Sequence, residues 1–367
     1  MQNFFYHYLK LLNSCYMEFI DLYAGIGGIR FAFEAHGNDC VFSSEWNKYS
    51  QITYNAFHGE MPFGDIHEIE NINEQIPDHN LLTAGFPCQP FSLAGVSKKN
   101  SQGRLHGFDD PTQGTEFFKV KEILRIKQPE TFLLENVKNL RSHDKGRTFE
   151  TICQSLTEIG YTYAFKIIDA SHWVPQHRER IYIIGFRNDL DITVEQIENL
   201  FPEPPEQRIY QLGDIIIPEE EIRKLYGDKY TLGLGTWNSL QRHRDRHQSK
   251  GNGFGFNMIR RPFAGNITRT MSARYYKDGA EILLEQDGDI PRRITPLEAC
   301  MLQGFPEECY KFFNGEVQQP VSDGQSYKQF GNSVAVPVLT AIAENMTNFI
   351  ETNDLLINED NVIINEI

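Results

Sequence analysis

The stretch Phe19-Ile20-Asp21-Leu22-Tyr23-Ala24-Gly25-Ile26-Gly27-Gly28 decides the fold. Phe19 to Tyr23 reads as a buried strand, and Gly25-Ile26-Gly27-Gly28 as a turn opening a helix that runs through Ala35. Such a turn lets the backbone approach a nucleotide-like ligand and aims helix-start N–H groups at it. The rhythm repeats outward. Cys40–Ser44 reads as a second strand ending at Glu45-Trp46, followed by a helix from Asn47 to about Phe57, and a short third element ends near Asp65. Leu81–Ala84 and Thr131–Leu134 read as further buried strands, with helices near 115–127 and 147–159. Strands alternating with helices predict an α/β protein with a doubly wound, mostly parallel sheet. In such sheets ligands collect beyond the carboxyl ends of the strands.

The chain has 367 residues, enough for one large domain with a smaller one. At 40% hydrophobic and 23% charged residues it is a folded, soluble type, and no apolar run approaches the ~20 residues that span a bilayer. Six cysteines, at 15, 40, 88, 153, 300 and 309, include no C-x-x-C pair, which fits reduced thiols and a cytoplasmic compartment. The histidines, His172 and His177 among them, show no ligand spacing, so no metal is assigned.

The formal charge of −15 argues against a polyanionic partner until its distribution is read. Residues 189–221 carry ten acids and one base with four prolines, which marks a boundary or linker. Residues 240–280 carry nine bases against Asp245 and Asp278, a net of +7 that includes Arg242, Arg244, Arg260, Arg269 and Arg274. The acidity sits in a linker and a tail, and a basic block stands apart.

Three further segments carry chemistry. Glu45 lies twenty residues after Gly25, where a carboxylate closing the second strand accepts ribose hydroxyls. The turn lacks the third glycine of a dinucleotide fingerprint, so a nucleoside without phosphates fits better. Trp46 could cover an adenine face or simply fill a core, and Asp65 could meet an adenine amino group or solvent. In Gly85-Phe86-Pro87-Cys88-Gln89-Pro90-Phe91-Ser92, two prolines bracket a cysteine just after a strand, which favours a nucleophile over a buried thiol. Glu135-Asn136-Val137 puts a carboxylate beside the same edge, as an acid held protonated or as a helix cap. Alternation places Gln176, Arg178 and Arg180 on one face, either for a base edge or phosphates or as a solvated strand edge.

Taken together these segments resemble the bacterial cytosine-5 DNA methyltransferases of restriction-modification type, in order from Phe19 to about Pro337. DLYAGIGG, Glu45-Trp46 and Gly64-Asp65-Ile66 resemble the family's S-adenosylmethionine site, and GFPCQPFS its nucleophile loop. Glu135-Asn136-Val137 and QHRER resemble its target-cytosine contacts. RRITPLEACMLQGFP, Arg292–Pro306, resembles the segment packing the recognition domain, and QFGNSVAVPV, Gln329–Val338, the closing motif. One departure is Gln113-Gly114-Thr115-Glu116-Phe117, where the family often reads R-G-T-L-F.

The resemblance implies a Rossmann-like S-adenosylmethionine-dependent fold with a smaller, discontinuously inserted target-recognition domain. The expected boundaries are 17–188 and 323–350 for the catalytic domain, 189–322 for recognition and 351–367 for an acidic tail. Residues 1–16 are expected to be an extension before a natural start at Met17. Cys88 is implied as nucleophile, Glu135 as acid on ring nitrogen 3, and Arg180 as the contact to the carbonyl at carbon 2. Arg178 is implied to serve a phosphate or Glu135. Implied cofactor contacts are Tyr23, Ala24, Gly25, Ile26 and Gly28 at the turn, with Glu45, Trp46, Asp65 and Ile66. Pro87, Asn332 and Ser333 complete that set. Double-stranded DNA is the implied partner, met by Gln176, by the basic block and by Ser92, Lys98, Lys99 and Arg104 on a loop closing over a flipped base. A monomer is expected, with a restriction endonuclease linked functionally but not necessarily bound. Competing readings are a transfer-RNA cytosine-5 methyltransferase, a non-catalytic DNA-binding relative and a nicotinamide oxidoreductase.

Overall fold

The computed structural model describes residues 16–87, 116–251 and 255–356. Cys88, Ser92, Lys98, Lys99, Arg104 and Gln113 lie outside the described residues.

Six strands form the main sheet: β1 (Glu18–Leu22), β2 (Asp39–Ser44), β3 (Leu81–Ala84), β4 (Thr131–Val137), β5 (Tyr161–Asp169) and β6 (Glu179–Arg187), in the order β2-β1-β3-β4-β6-β5. The first four are parallel, and β6 runs antiparallel to both β4 and β5. Successive side chains of a strand face opposite sides, so Phe19 and Leu133 enter one core while Ile20, Leu82 and Leu134 enter the other. Helices cover both. On the second face lie α3 (Glu116–Lys127), through Ile123 and Leu124, and α4 (Arg147–Glu158), through Ile152 and Leu156. On the first lie α1 (Gly28–Glu34), through Ala32 and Phe33, and α9 (Val336–Thr352), through Leu339, Ile342 and Met346. A helix from the far end of the chain thus completes the layer begun by the first one.

Register places the functional edge. Leu22 pairs with Ser44 on one side and Ala84 on the other, and Ala84 pairs with Leu134. The residues that follow, Tyr23, Glu45, Gly85 and Glu135, therefore stand at one level of the sheet, the first three beyond their strands and Glu135 still paired with Tyr182 of β6. Because β6 is reversed, its start comes to the same edge, with Arg180 opposite Val137. Between β2 and α1's neighbour α2 (Lys48–His58), Asn47 caps the helix by accepting the N–H groups of Tyr49 and Ser50, so α2 begins directly after Glu45-Trp46.

The expected acidic linker is anchored at its start: α5 (Val194–Glu198) contributes Ile197, and Leu200 and Phe201 follow it into the first core. A third core gathers Ile259, Met271, Tyr275 and Leu284 with Ala299, Leu302 and Phe305, and it reaches Ile26 in the glycine turn. Around it lie a small sheet of β7 (Met258–Ile259), β8 (Leu283–Leu284) and β9 (Arg292–Arg293), and helices α6 (Leu234–Gln248) and α7 (Pro296–Leu302). Arg292 and Glu298 form a buried bidentate pair, both bonds at 2.8 Å, and Glu298 also accepts the N–H groups of Ile217 and Thr295. The last helix before α9 is α8 (Asp323–Asn332). No helix among the described residues is long and apolar enough to cross a membrane.

Candidate active site

The turn after β1 is built on left-handed backbone at Tyr23 (φ 57°), Gly25 (φ 60°) and Gly27 (φ 81°). At Gly27 a side chain is also sterically excluded, since a Cβ there would lie 1.9 Å from Nε2 of His58. Glu45 fixes the turn from the neighbouring strand. Its Oε2 accepts the Gly25 N–H at 2.9 Å and its Oε1 accepts the Asn47 N–H at 2.7 Å. Burial pushes the Glu45 carboxyl above its ordinary value, and these two N–H groups pull the other way. Each oxygen keeps a lone pair free for an external donor.

Beyond the turn opens a cavity of about 430 Å³. One end is walled by Tyr23, Ala24, Gly25, Ile26 and Gly28, with Glu45 and Trp46 beside them. Trp46 is 69% exposed, so the indole stands at the rim and not in a core. Asn332 and Ser333, from the end of α8, close the wall. The other end is walled by Phe86, Pro87, Glu135, Asn136 and Arg180. Tyr23 donates its hydroxyl to the Glu116 carbonyl at 3.0 Å, and the Glu116 carboxylate meets Nε2 of His67 at 2.9 Å.

Glu135 is buried, and Arg180 Nε stands 3.1 Å from its Oε1. Burial pushes the Glu135 carboxyl up, while Arg180 and Arg178 restrain the rise. A carboxyl held this way keeps a proton more readily than an exposed glutamate. Gly85 faces it: a Cβ on Gly85 would lie 3.6 Å from Oε2 of Glu135. Asn136 donates to the Phe86 carbonyl at 2.7 Å and so fixes the approach to Pro87, the residue before Cys88.

Four residues expected at ligands have partners within the protein. Asp65 and Ile66 do not wall the cavity: Oδ1 of Asp65 accepts the His67 N–H at 2.9 Å, and the Ile66 side chain is buried in the second-face core. Arg178 is not placed to meet a phosphate, because the residue is 1% exposed and its guanidinium donates to the carbonyls of Met271, Gly331 and Ser333, while its charge still acts on Glu135. Gln176 is likewise corrected from a DNA contact, since it is 0% exposed and its Oε1 accepts the Met271 N–H at 2.8 Å. In the basic block Arg242, Arg260, Arg269 and Arg274 are exposed. Arg260 stands 3.6 Å from Glu285, and Arg269 donates to the Gly255 carbonyl at 3.2 Å. Arg244 is half-buried, paired with Asp245 at 2.8 Å and lying over the Phe256 ring.

The cavity also takes residues the sequence reading passed over. Gln325, Lys328 and Gln329 join Asn332 on one face of α8, a helical spacing visible in the sequence once the helix is known. Gln329 ties that helix to α2 by donating to the Tyr49 carbonyl at 2.8 Å and accepting the Thr53 hydroxyl at 3.0 Å.

A family model described as C-5 cytosine-specific DNA methylase matches residues 17–348. A DNA-cytosine methyltransferase of Escherichia coli K12 is 47% identical over a 377-residue alignment, covering 89% of this chain and 76% of that protein. The type II methyltransferase M.NlaX of Neisseria lactamica is 47% identical, covering 90% of this chain and 96% of its own length. Among solved structures, the Dnmt2 methyltransferase of S. pombe superposes with a TM-score of 0.68 at 20% identity, covering 92% of this chain and 99% of that one. That likeness concerns the fold.

Proposed function

Because this chain belongs to the C-5 cytosine-specific DNA methylase family, we propose that it methylates carbon 5 of a cytosine flipped out of duplex DNA, using S-adenosylmethionine and a transient Cys88 adduct. It is a DNA cytosine methyltransferase of restriction-modification type. One observation carries the mechanistic reading: a single cavity joins the glycine turn, Glu45 and Trp46 to Glu135, Arg180 and Pro87. Donor and acceptor need one shared chamber, and the residue next in sequence to Pro87 is the cysteine.

The residues present fit the cofactor. Glu45 offers a carboxylate already oriented by two N–H groups to ribose hydroxyls, Trp46 an exposed ring to a purine face, and the turn a close backbone approach. When bound, S-adenosylmethionine supplies an electrophilic sulfonium methyl. Cytosine carbon 5 is too weak a nucleophile to take it unaided. The Cys88 thiolate bonds to carbon 6 of the ring, and Glu135, protonated, gives its proton to nitrogen 3 as charge develops there. Carbon 5 is then enamine-like. Arg180 holds the carbonyl oxygen at carbon 2 and keeps Glu135 aimed. Once carbon 5 carries the methyl, its proton passes to water, the electron pair of that bond forms the carbon 5–carbon 6 double bond as the carbon–sulfur bond breaks and frees the thiolate, and nitrogen 3 returns its proton to Glu135.

The reading extends to the recognition region, 189–322, inserted between 17–188 and 323–350. The exposed arginines Arg242, Arg260, Arg269 and Arg274 would position phosphates and read base edges, and Lys98, Lys99, Arg104 and Ser92 would close on the target. Methylation mapping of plasmid DNA from cells expressing the protein tests all of this. 5-Methylcytosine at one recurrent sequence is expected. Transfer of labelled methyl to transfer RNA but not to duplex DNA would overturn the substrate assignment.

A further inference from the structure

Gln176, expected at the DNA, and Arg178, expected at a phosphate or Glu135, are both buried and join three parts of the chain. The residues leading into β6 pair with a segment of the basic block. Thr268 N–H donates to the Pro175 carbonyl at 2.8 Å, His177 N–H to the Thr268 carbonyl at 3.0 Å, and the Thr270 hydroxyl to the His177 carbonyl at 2.5 Å. Gln176 adds the Met271 N–H to this ladder. Arg178 then gathers the Met271 carbonyl at 3.1 Å with Nη1, and the carbonyls of Gly331, at 3.0 Å, and Ser333 with Nη2. Gly331 and Ser333 wall the cavity, as does Arg180 two residues further along β6. The fit leaves no slack: a Cβ on Gly331 would lie 2.3 Å from the Ser272 carbonyl oxygen.

A buried guanidinium is costly and here meets main-chain carbonyls, with burial and the Arg180 charge pulling its pKa down to about 9. It still carries its charge at neutral pH. Three carbonyls from two distant stretches would repel one another at this range without a cation between them, and the planar fork reaches all three at once.

We infer that Arg178 is a positioning residue that clamps the recognition segment, the cofactor wall and the target-contacting strand into one unit, so that DNA held by the basic block sets the reaction geometry. This rests on the function proposed above. In Arg178→Lys the single ammonium on a shorter reach cannot span the three carbonyls. Gln176→Met removes only the acceptor for Met271 and is the milder second variant.

The experiment measures methyl transfer to plasmid DNA per cofactor-competent site, with competent sites counted by calorimetric titration with S-adenosylhomocysteine. Bisulfite sequencing scores the principal target against its one-base variants. Arg178→Lys should lower the rate per competent site by about tenfold or more and reduce fidelity, because small misplacements at a reacting centre cost that much. Gln176→Met should shift both in the same direction. A merely structural role would lower the number of competent sites and leave rate per site and fidelity unchanged, and that result overturns the inference. If Arg178→Lys yields no competent sites, Gln176→Met with parental rate and fidelity overturns it equally. A parent protein that modifies no plasmid cytosine would instead refute the underlying reading.

Discussion

Asp21 lies fully buried in β1, one strand residue short of the glycine turn. Its Oδ1 accepts the Thr83 hydroxyl at 3.0 Å, and its Oδ2 meets no donor. Burial pushes its pKa from 3.8 up to about 7, against the pull of Thr83 and Arg30 and with a small push from Glu34 and Glu45. The folded protein thus keeps a proton on Asp21 that the unfolded chain has lost. Its contribution to stability is fully present below the unfolded value and disappears as pH rises through about 7. At ~1.4 kcal/mol per pKa unit the full penalty is about 4 kcal/mol, of which ~3 kcal/mol accrues between about pH 5 and about pH 8.5. Asp21→Asn keeps an acceptor for Thr83 and removes the titration. Its stability relative to the parent should therefore rise by ~3 kcal/mol across that range, about 4 °C in melting midpoint at ~2.1 cal/mol/K per residue. Thermal unfolding of both proteins in matched buffers measures it, and groups common to both cancel. A stability difference that does not change with pH would mean that the carboxyl is ionised in the fold, and the reasoning would fail.

Cys88→Ser should abolish methyl transfer while duplex binding in a gel-shift assay stays within about threefold, since a hydroxyl is a far weaker nucleophile at neutral pH. Glu135→Gln should cut turnover by ~10²-fold or more and spare S-adenosylhomocysteine affinity, the proton donor being lost while the cofactor end of the chamber is untouched; single-turnover kinetics and calorimetry read the two separately. In Glu45→Gln one of the two N–H groups, Gly25 or Asn47, must face an NH₂, at a cost of about 1–3 kcal/mol. Calorimetry should show cofactor affinity falling by roughly tenfold or more. Duplex affinity should fall linearly with salt on logarithmic axes despite the formal charge of −15, with a slope shallower by about one for Arg274→Ala; a flat salt profile would remove the basic block from the interface.

Much of the site was legible because it sits where strands end. Phe19–Gly28, Glu45 and Glu135 could be placed at one edge from apolar runs and turn chemistry, and the register of Leu22, Ala84 and Leu134 brings them level. The reversal of β6 was not legible, since a strand buried on both faces reads the same in either direction. β5 was missed because edge position gives Tyr161–Asp169 a mixed burial pattern without clean alternation. β7 to β9, at two residues each, carry no period at all. Gln176 and Arg178 misled for a different reason. Alternating polar residues ordinarily mark a wet face, but here they are consumed by main-chain groups more than ninety residues away.

The pairing of α9 with α1 has a consequence for biosynthesis. Asn38 bonds Thr347 across 309 residues and His36 meets the Thr340 carbonyl across 304, while Asn332 and Ser333 close the chamber just before that helix. Contacts so distant along the polypeptide form late, and during translation they await the emergence of residues 332–347. A ribosome-bound chain that has already displayed the cysteine and the acid would still want a wall for its methyl donor. The chamber is thereby incomplete on any nascent chain that has not yet delivered residues 332–347.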